Sequence, residues 1–448
     1  MKKLLTYLIF FCLISLNMPS ASANLISSYI QKSGFENNST ISLYVKNTKN
    51  NNTIYKRNEK KLLNPASTLK TLTFGASYKI LGEGYKFETI LYKDTDNNLY
   101  IKLGADPLLS YLDLVELFSD AKEKITTTKI NNIYIDDTII DKTPYPSAWM
   151  QEDIWPNQRA ITPYIVDNNF TNIDIKRSSL ATKVDILQGD SYKIPIINEL
   201  KLGDTQSYTI TKEYGENSPI ITFKGTIKED ESRRLPVYNP QINFIVKTNK
   251  ALNKNDYLFD KKILFKKTPQ KVTRIASISH DIEEVSKKIL FNSDNFTSEI
   301  VSKVAAAKFI KYSHPATNED MINMFYSVYQ STITNDIKIT DSSGVSRNNF
   351  LNTEFLVNAF SYISHITNIK GLMMSPNQGT LAGRLLFLNG NLKAKTGTLD
   401  NMSSIMGTLN TKKCNDLIFA IIVQNSPKRK AILKNFEDNI ITILYRKY

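Results

Sequence analysis

Histidine, cysteine, acidic charge and long apolar runs are what this chain has least of. Its three histidines, His280, His314 and His365, are scattered, with no His-x-His or His-Glu-x-x-His pair, and no Gly-x-Ser-x-Gly turn appears. Histidine-based metal sites and the Ser-His-Asp arrangement of α/β-hydrolases therefore find no support, and no cofactor or metal is expected. The cysteines are Cys12 and Cys414. Cys12 lies in an N-terminal export signal and has no lipobox before it, so one thiol remains and no intramolecular disulfide can form. Cys414, beside the apolar Leu417 to Val423, is expected as a buried thiol. The apolar run Leu4 to Leu16 is about 13 residues, short of the roughly 20 that span a bilayer. Lys2 and Lys3 precede it, Asn17 and Pro19 break it, and Ala21-Ser22-Ala23 offers a cleavage site, so residues 1–23 read as a secretory signal peptide. The mature protein is then exported, with the periplasm as the default compartment. Formal net charge is +14, or +12 without Lys2 and Lys3. In an exported protein this favours an anionic envelope surface or polymer, and no basic stretch is interleaved with aromatics as in nucleic-acid platforms.

With 448 residues, two or three domains are expected. Ile41 to Val45 and Thr53 to Lys56 form a hairpin leading into a helix, with Asn64 as N-cap, Pro65 at its first position, and Leu69, Leu72, Ala76 and Ile80 at helical spacing. Phe87 to Leu103 is strand-like with a turn at Asp94 to Asn98. A helix over Leu112 to Ala121 and a strand over Lys129 to Ile135 follow. From Asn168 to about Phe265 the pattern is short strands between polar turns. Helical stripes return with Ile282, Val285, Ile289 and Leu290, then Phe296, Ile300, Val301 and Val304. A helix over Thr353 to Ile366, strands at Leu392 to Leu399, Ser403 to Asn410 and Leu417 to Gln424, and a helix from about Pro427 to Tyr445 complete the chain. The order implies an α/β fold, an antiparallel sheet flanked by helices, in which the N- and C-terminal parts share one sheet around a large, mainly β insert. The expected boundaries are 24–90 with 268–448 for the main domain and 91–267 for the insert, itself divided into 91–165 with 245–267 and 166–244.

Three motifs carry chemistry. In Asn64-Pro-Ala-Ser-Thr-Leu-Lys70, Ser67 falls in the first turn of the helix, where backbone N–H groups are unpaired, and Lys70 lies one turn on along the same face. A hydroxyl, an amine within its reach and a free amide are the parts of an acyl-transfer site. Ser293-Asp294-Asn295 lies between two helical stripes, where helix capping is its ordinary use. Lys395-Thr396-Gly397-Thr398 places a glycine inside a strand, which suits a close approach such as a substrate lying along the strand edge.

In this order the three motifs match the set known from class A β-lactamases and penicillin-binding proteins. With Gly104-Ala-Asp-Pro107, Asp341-Ser-Ser-Gly-Val-Ser-Arg347 and Gly379-Thr-Leu381, the chain resembles the D-alanyl-D-alanine carboxypeptidase/endopeptidase family typified by penicillin-binding protein 4. The similarity covers almost the whole mature chain, including the long insert that compact β-lactamases lack. It implies a penicillin-binding, β-lactamase-like transpeptidase domain acting on peptidoglycan stem peptides and cross-links, with β-lactams as acylating inhibitors. Ser67 would be the nucleophile and Lys70 its base, neutral through burial beside Lys395. Ser293 would relay a proton, Asn295 would orient Lys70 and the substrate amide, and Lys395, Thr396 and Thr398 would hold the terminal carboxylate. The N–H groups of Ser67 and Thr398 would form the oxyanion hole. The resemblance also implies a second pocket, with Arg347 for a diaminopimelate carboxylate and Trp149 with Glu152 or Asp153 for its amino end. Asp341-Ser-Ser departs from the usual Asp-Gly-Ser.

Two rival readings exist. A β-lactamase needs a deacylation base, and Glu354-Phe-Leu-Val-Asn358 only approximates the required Glu-x-x-Leu-Asn within a helix-periodic segment. A non-catalytic envelope scaffold is opposed by the intact Ser, Lys, Ser, Asn and Lys-Thr-Gly set.

Overall fold

Every residue from Leu417 to Val423 is buried within the strand Asp416–Gln424, so this strand needs neighbours on both edges and cover on both faces. The computed structural model, which describes residues 21–125, 130–178, 183–189, 192–214, 219–334 and 336–448, places it at the centre of a five-stranded antiparallel sheet. The order is Leu392–Leu399, Met402–Asn410, Asp416–Gln424, Thr40–Asn47, Thr53–Arg57. Thr40 lies opposite Gln424 and Asn47 opposite Leu417, so strands from the two ends of the chain share one sheet, as expected. The helix Thr353–Ile366 packs on Thr40–Asn47 and Asp416–Gln424, and the helix Lys430–Lys447 on Met402–Asn410. Asn352 caps the first of these helices by accepting from the Phe355 N–H at 2.7 Å, a contact of a kind that contributes about 1 kcal/mol. These elements form one of two compact units, made of residues up to Leu72 with Ser331–Lys338 and Asn349–Tyr448.

The second unit comprises Thr73–Gln330 and Ile339–Asn348 and, among the described residues, holds three sheets. One has the order Leu264–Phe265, Ile133–Asp136, Leu99–Lys102, Lys86–Lys93, Thr273–Asp281. Its core includes Leu91, Ile101, Ile133 and Ile135, with Leu114, Leu117 and Phe118 of the helix Tyr111–Ala121 and Phe244 of the helix Pro240–Lys254. Two three-stranded sheets, Ile196–Leu202 with Pro219–Ile227 and Ser207–Tyr214, and Glu231–Pro236 with Phe170–Arg177 and Val184–Gln188, share a smaller core around Ile173, Ile175, Ile221 and Phe223. The helices Ile282–Leu290, Asn295–Phe309 and Asn318–Tyr329 complete the unit.

Several expectations are corrected. The α-helix after Asn64 begins at Leu69, and Ala66–Thr68 forms a 3₁₀ turn before it. The region expected as short strands also contains the helix Pro240–Lys254, whose N-cap Asn239 accepts from the Ile242 N–H at 3.0 Å. The boundary expected at residue 90 falls inside Lys86–Lys93, which pairs along its length with Thr273–Asp281; that sheet thus draws strands from both sides of the expected insert boundaries. Cys414 is exposed rather than buried, because it sits at φ +59° in the turn before Asp416–Gln424 instead of in the strand. The expected signal peptide, apart from Ala21 to Ala23 in the helix Ala21–Ser33, lies outside the described residues, as do Cys12 and Lys129. Among the described residues no helix is long and apolar enough to cross a membrane.

Candidate active site

Ser67 is fixed by the backbone around it. The Asn64 side chain accepts from the Ala66 N–H at 2.8 Å, the Thr68 hydroxyl donates to the Pro65 carbonyl at 2.6 Å, and Ser404 donates to that same carbonyl at 2.8 Å. Ala66 adopts φ +46°. The turn presents the half-buried Ser67 ahead of the helix Leu69–Leu81, and the Lys70 amine donates to the Ser67 hydroxyl at 2.9 Å. Lys70 and Lys395 are both fully buried. Burial first, and the charge of Lys70 second, hold the Lys395 amine well below the ordinary lysine range. Two amines enclosed together disfavour the doubly charged state, so the pair tends to carry one proton fewer than two exposed lysines.

Gly397 shows why glycine stands in this strand. A methyl group there would lie 2.4 Å from the Ser404 hydroxyl, 2.9 Å from the Ser67 amide nitrogen and 3.0 Å from the Ala66 side chain. The space kept free by Gly397 is occupied at close range by the turn that carries Ser67. Thr396 is buried and its hydroxyl is 2.5 Å from that of Thr380, which brings the Gly379-Thr-Leu landmark to the Lys-Thr-Gly strand. Thr398 is half-buried one residue beyond Gly397.

In the second unit, Ser293-Asp294-Asn295 links the helices Ile282–Leu290 and Asn295–Phe309. The capping expected of this tripeptide falls to Asp294, which accepts from the Thr297 N–H at 2.7 Å. Ser293 stands at φ +57°, and Ser293 and Asn295 are both half-buried. Burial alone would push the Asp294 carboxyl up; an ion pair with Arg159 and the hydrogen bond from Thr297 outweigh it and hold the carboxyl below its ordinary range.

The two acids that follow Trp149 stand in different surroundings. Arg347 pairs with Asp153, while Glu152 is exposed. The Trp149 indole is 7% exposed and donates to Asp341 at 2.8 Å, which also accepts from the N–H groups of Gly344 at 2.9 Å and Ser346 at 2.7 Å. Trp149 therefore holds the loop that carries Arg347. Asp106, of the Gly104-Ala-Asp-Pro landmark, is buried with His280 Nδ1 at 2.6 Å and shapes its own turn through the Leu108 N–H at 2.9 Å.

Two side chains escaped the sequence reading. Glu299, one turn into the helix after Asn295, is fully buried and accepts from the Ser343 N–H at 2.8 Å and the Ser342 N–H at 3.1 Å. Burial, then the Asp341 charge, push its carboxyl up to about 7. Its signal was available: a lone acid among Phe296 to Ala307, where acids are seldom fully buried. Arg159 gave no such signal, since nothing in Pro156-Asn-Gln-Arg159 marks it.

The sequence profile of the D-Ala-D-Ala carboxypeptidase 3 (S13) family matches residues 22–447. The chain belongs to that family. It is accordingly a serine-type D-Ala-D-Ala carboxypeptidase. The crystal structure of penicillin-binding protein 4 from Haemophilus influenzae superposes on this S13 carboxypeptidase with a TM-score of 0.82 at 21% identity, covering 94% of this chain and 99% of that one. The same protein complexed with a β-lactam gives 0.77 at 21% over the same shares. A predatory endopeptidase of Bdellovibrio bacteriovorus, in complex with an immunity protein, gives 0.52 at 13%, covering 91% and 94%. These likenesses carry the fold, an antiparallel sheet flanked by helices with an added β-rich region. No curated protein sequence matches significantly.

Proposed function

We propose that this carboxypeptidase works through an acyl-enzyme on Ser67 and acts on peptidoglycan stem peptides, trimming a terminal D-alanine or cutting a D-alanyl cross-link. The observation that carries this reading is the buried Lys70 amine 2.9 Å from the Ser67 hydroxyl. Neutral Lys70 takes the hydroxyl proton as Ser67 Oγ bonds to the carbonyl carbon between two D-alanines. The N–H groups of Ser67 and Thr398 stabilise the oxyanion. Collapse breaks the C–N bond, Ser293 passes a proton to the departing amine, and water then cleaves the ester. Asn295 orients Lys70 and the substrate amide; these roles of Ser293 and Asn295 come from the motif. Lys395, Thr396 and Thr398 receive the terminal carboxylate. An enclosed pair of amines favours a single charge, and a carboxylate beside Lys395 places that charge on Lys395, which leaves Lys70 free to act as base.

The same acylation makes β-lactams inhibitors, in keeping with the fold shared with the β-lactam complex of penicillin-binding protein 4. Arg347 with Asp153 and Trp149 forms the side-chain pocket, and export through residues 1–23 places the enzyme in the periplasm. The β-lactamase alternative gains nothing from Glu354 and Asn358. Asn358 accepts from Lys46 of Thr40–Asn47, three strands along the sheet from the strand of Lys395. Intact-mass spectrometry of the mature protein with benzylpenicillin tests the proposal. A one-to-one, slowly decaying adduct present on wild type and absent from Ser67→Ala supports it. Rapid loss of the adduct with accumulating hydrolysed drug favours a β-lactamase, and no adduct on folded protein sinks both.

A further inference from the structure

The guanidinium of Arg159 is buried, 6% exposed, and held on three sides. Its carbon lies 4.6 Å from the ring centre of Phe170 and 4.4 Å from that of Phe296. Its Nη2 pairs with the carboxylate of Asp294, and its Nη1 donates to the Asn168 carbonyl at 3.3 Å. Phe296 directly follows Asn295, and Asp294 lies between Ser293 and Asn295. Every group that fixes this guanidinium on the motif side is thus a neighbour of a motif side chain.

The other side is equally defined. Phe170 opens the strand Phe170–Arg177 and carries a second guanidinium, Arg234, at 4.6 Å. Asp167, Asn168 and Asn169 run at positive φ, +53°, +57° and +50°. The Asn169 side chain secures that turn by donating to the Tyr164 carbonyl at 3.0 Å and accepting from the Val166 N–H at 3.2 Å. The carbonyl that meets Arg159 therefore stands on a scaffolded turn. Ser293, at φ +57°, holds a conformation that non-glycine residues adopt only when their surroundings impose it.

We propose that Arg159 is a positioning residue for acyl transfer, a brace by which the β-rich region sets the Ser293-Asp294-Asn295 turn through Asp294 and Phe296. This rests on the reading that Ser293 and Asn295 serve the reaction of Ser67. Arg159 touches no reacting atom. It fixes the carboxylate that caps the helix and the ring that follows Asn295, and so restricts where Ser293 and Asn295 point. A planar fork stacked between two rings does this in a way that a flexible ammonium does not.

The test measures acylation of Ser67 by benzylpenicillin in the full mature chain, as the second-order rate constant from time-resolved intact mass. Arg159→Ala is expected to slow acylation about 10²-fold, the order of loss from a misplacement near 1 Å. Arg159→Lys is expected to recover part of that loss. Asp294→Asn keeps a capping oxygen but loses the charge, so it is expected to match Arg159→Ala, with little further loss in the double variant. Hydrogen exchange at the amides of residues 293–297 is expected to quicken in each single variant while the cooperative melt persists. Wild-type acylation and exchange in folded Arg159→Ala would overturn the proposal, as would losses that simply multiply in the double variant. Should Arg159→Ala fail to fold, Asp294→Asn and Phe170→Leu carry the same readouts, and wild-type behaviour in both would overturn it. Absence of any wild-type adduct defeats the reading of Ser67 instead, and exchange at 293–297 still reports whether Arg159 braces the turn.

Discussion

The contacts that shape the backbone turn of Ser67 are short and uncharged: Gly397 leaves no room for a methyl group against the Ser67 amide, Ser404 reaches Pro65, and Asn64 reaches Ala66. Around Ser293 and Arg347 they are ionic: Arg159 meets Asp294, Asp153 meets Arg347, and Glu299 is raised by Asp341. Contacts of the first kind respond to added volume, and those of the second to charge and pH. One segment supplies most of the second kind. Trp149, Asp153 and Arg159 reach Asp341, Arg347 and Asp294 in turn, so a stretch without a motif of its own secures two loops that have one.

The largest effect is expected from volume. Gly397→Ala places a methyl group 2.9 Å from the Ser67 amide nitrogen, and backbone at that distance must move. Acylation by benzylpenicillin should fall about 10²- to 10³-fold, against a stability loss of about 1–3 kcal/mol typical of overpacking. Adding Ser404→Ala removes the nearest clash, at 2.4 Å, but leaves the amide contact, so the double variant should stay slow. Full acylation in Gly397→Ala would show that the Ser67 turn tolerates added volume, and the comparison would lose its first half.

Charge should show itself in pH dependence. Glu299 has its carboxyl raised to about 7 in the folded protein from an ordinary 4.5. Between those values the folded state binds more protons than the unfolded state, so this contribution is complete below about 4.5 and disappears as pH rises through about 7. The size is about 3 kcal/mol. Glu437, in the other unit, is also raised to about 7, by burial opposed by Arg384. Glu299→Gln should therefore reduce the loss of stability across this window and leave the part due to Glu437. Chemical denaturation at pH 4.5, 6 and 8 measures it, and an unchanged slope would remove Glu299 from the charged half. Lys395 works with the opposite sign. Its folded form sheds its proton early, so stability should rise with pH from its lowered value towards 10.5, and Lys395→Met should flatten that rise.

The shared sheet, the helix Thr353–Ile366 and the strand Leu392–Leu399 were legible because long periodic segments with few polar interruptions allow one assignment. The meeting of the Lys70 amine with the Ser67 hydroxyl was legible because it depends on local spacing, and the Lys-Thr-Gly segment because it lies within a regular strand. The helix Pro240–Lys254 was not, since a polar sequence with a narrow apolar stripe imitates alternation when read in short windows. Arg159 and Glu299 stayed hidden for another reason. Their contacts are made with partners 135 and 43 residues away along the chain, and no local spacing encodes such a meeting. Cys414 misled because an apolar run was extended across a turn.

A smaller effect should sharpen the uncharged half from within. The Thr380 and Thr396 hydroxyls lie 2.5 Å apart, and Thr380→Val keeps the shape while deleting one hydroxyl. A neutral hydrogen bond is worth about 1 kcal/mol, so about a fivefold rise in KM for a D-alanyl-D-alanine peptide is expected at little cost to the thermal midpoint. A change confined to kcat would instead place Thr380 with the chemistry rather than with carboxylate binding.

The smallest effect separates two adjacent acids. Asp153 is mostly covered and pairs with Arg347, whose side chain is 37% exposed, whereas Glu152 is exposed. A partly exposed pair is worth about 1 kcal/mol or less. In the proposed pocket a zwitterionic substrate side chain would give a carboxylate to Arg347 and an amine to Asp153 and so replace the pair that it opens, whereas a neutral side chain would open the pair and return nothing. Asp153→Asn should therefore narrow the preference for a diaminopimelate-bearing peptide over a neutral analogue by about fivefold, and Glu152→Gln should leave that ratio unchanged. If Glu152→Gln moves the ratio and Asp153→Asn does not, the exposed acid is the one that meets the substrate, and the ion pair with Arg347 is architecture alone.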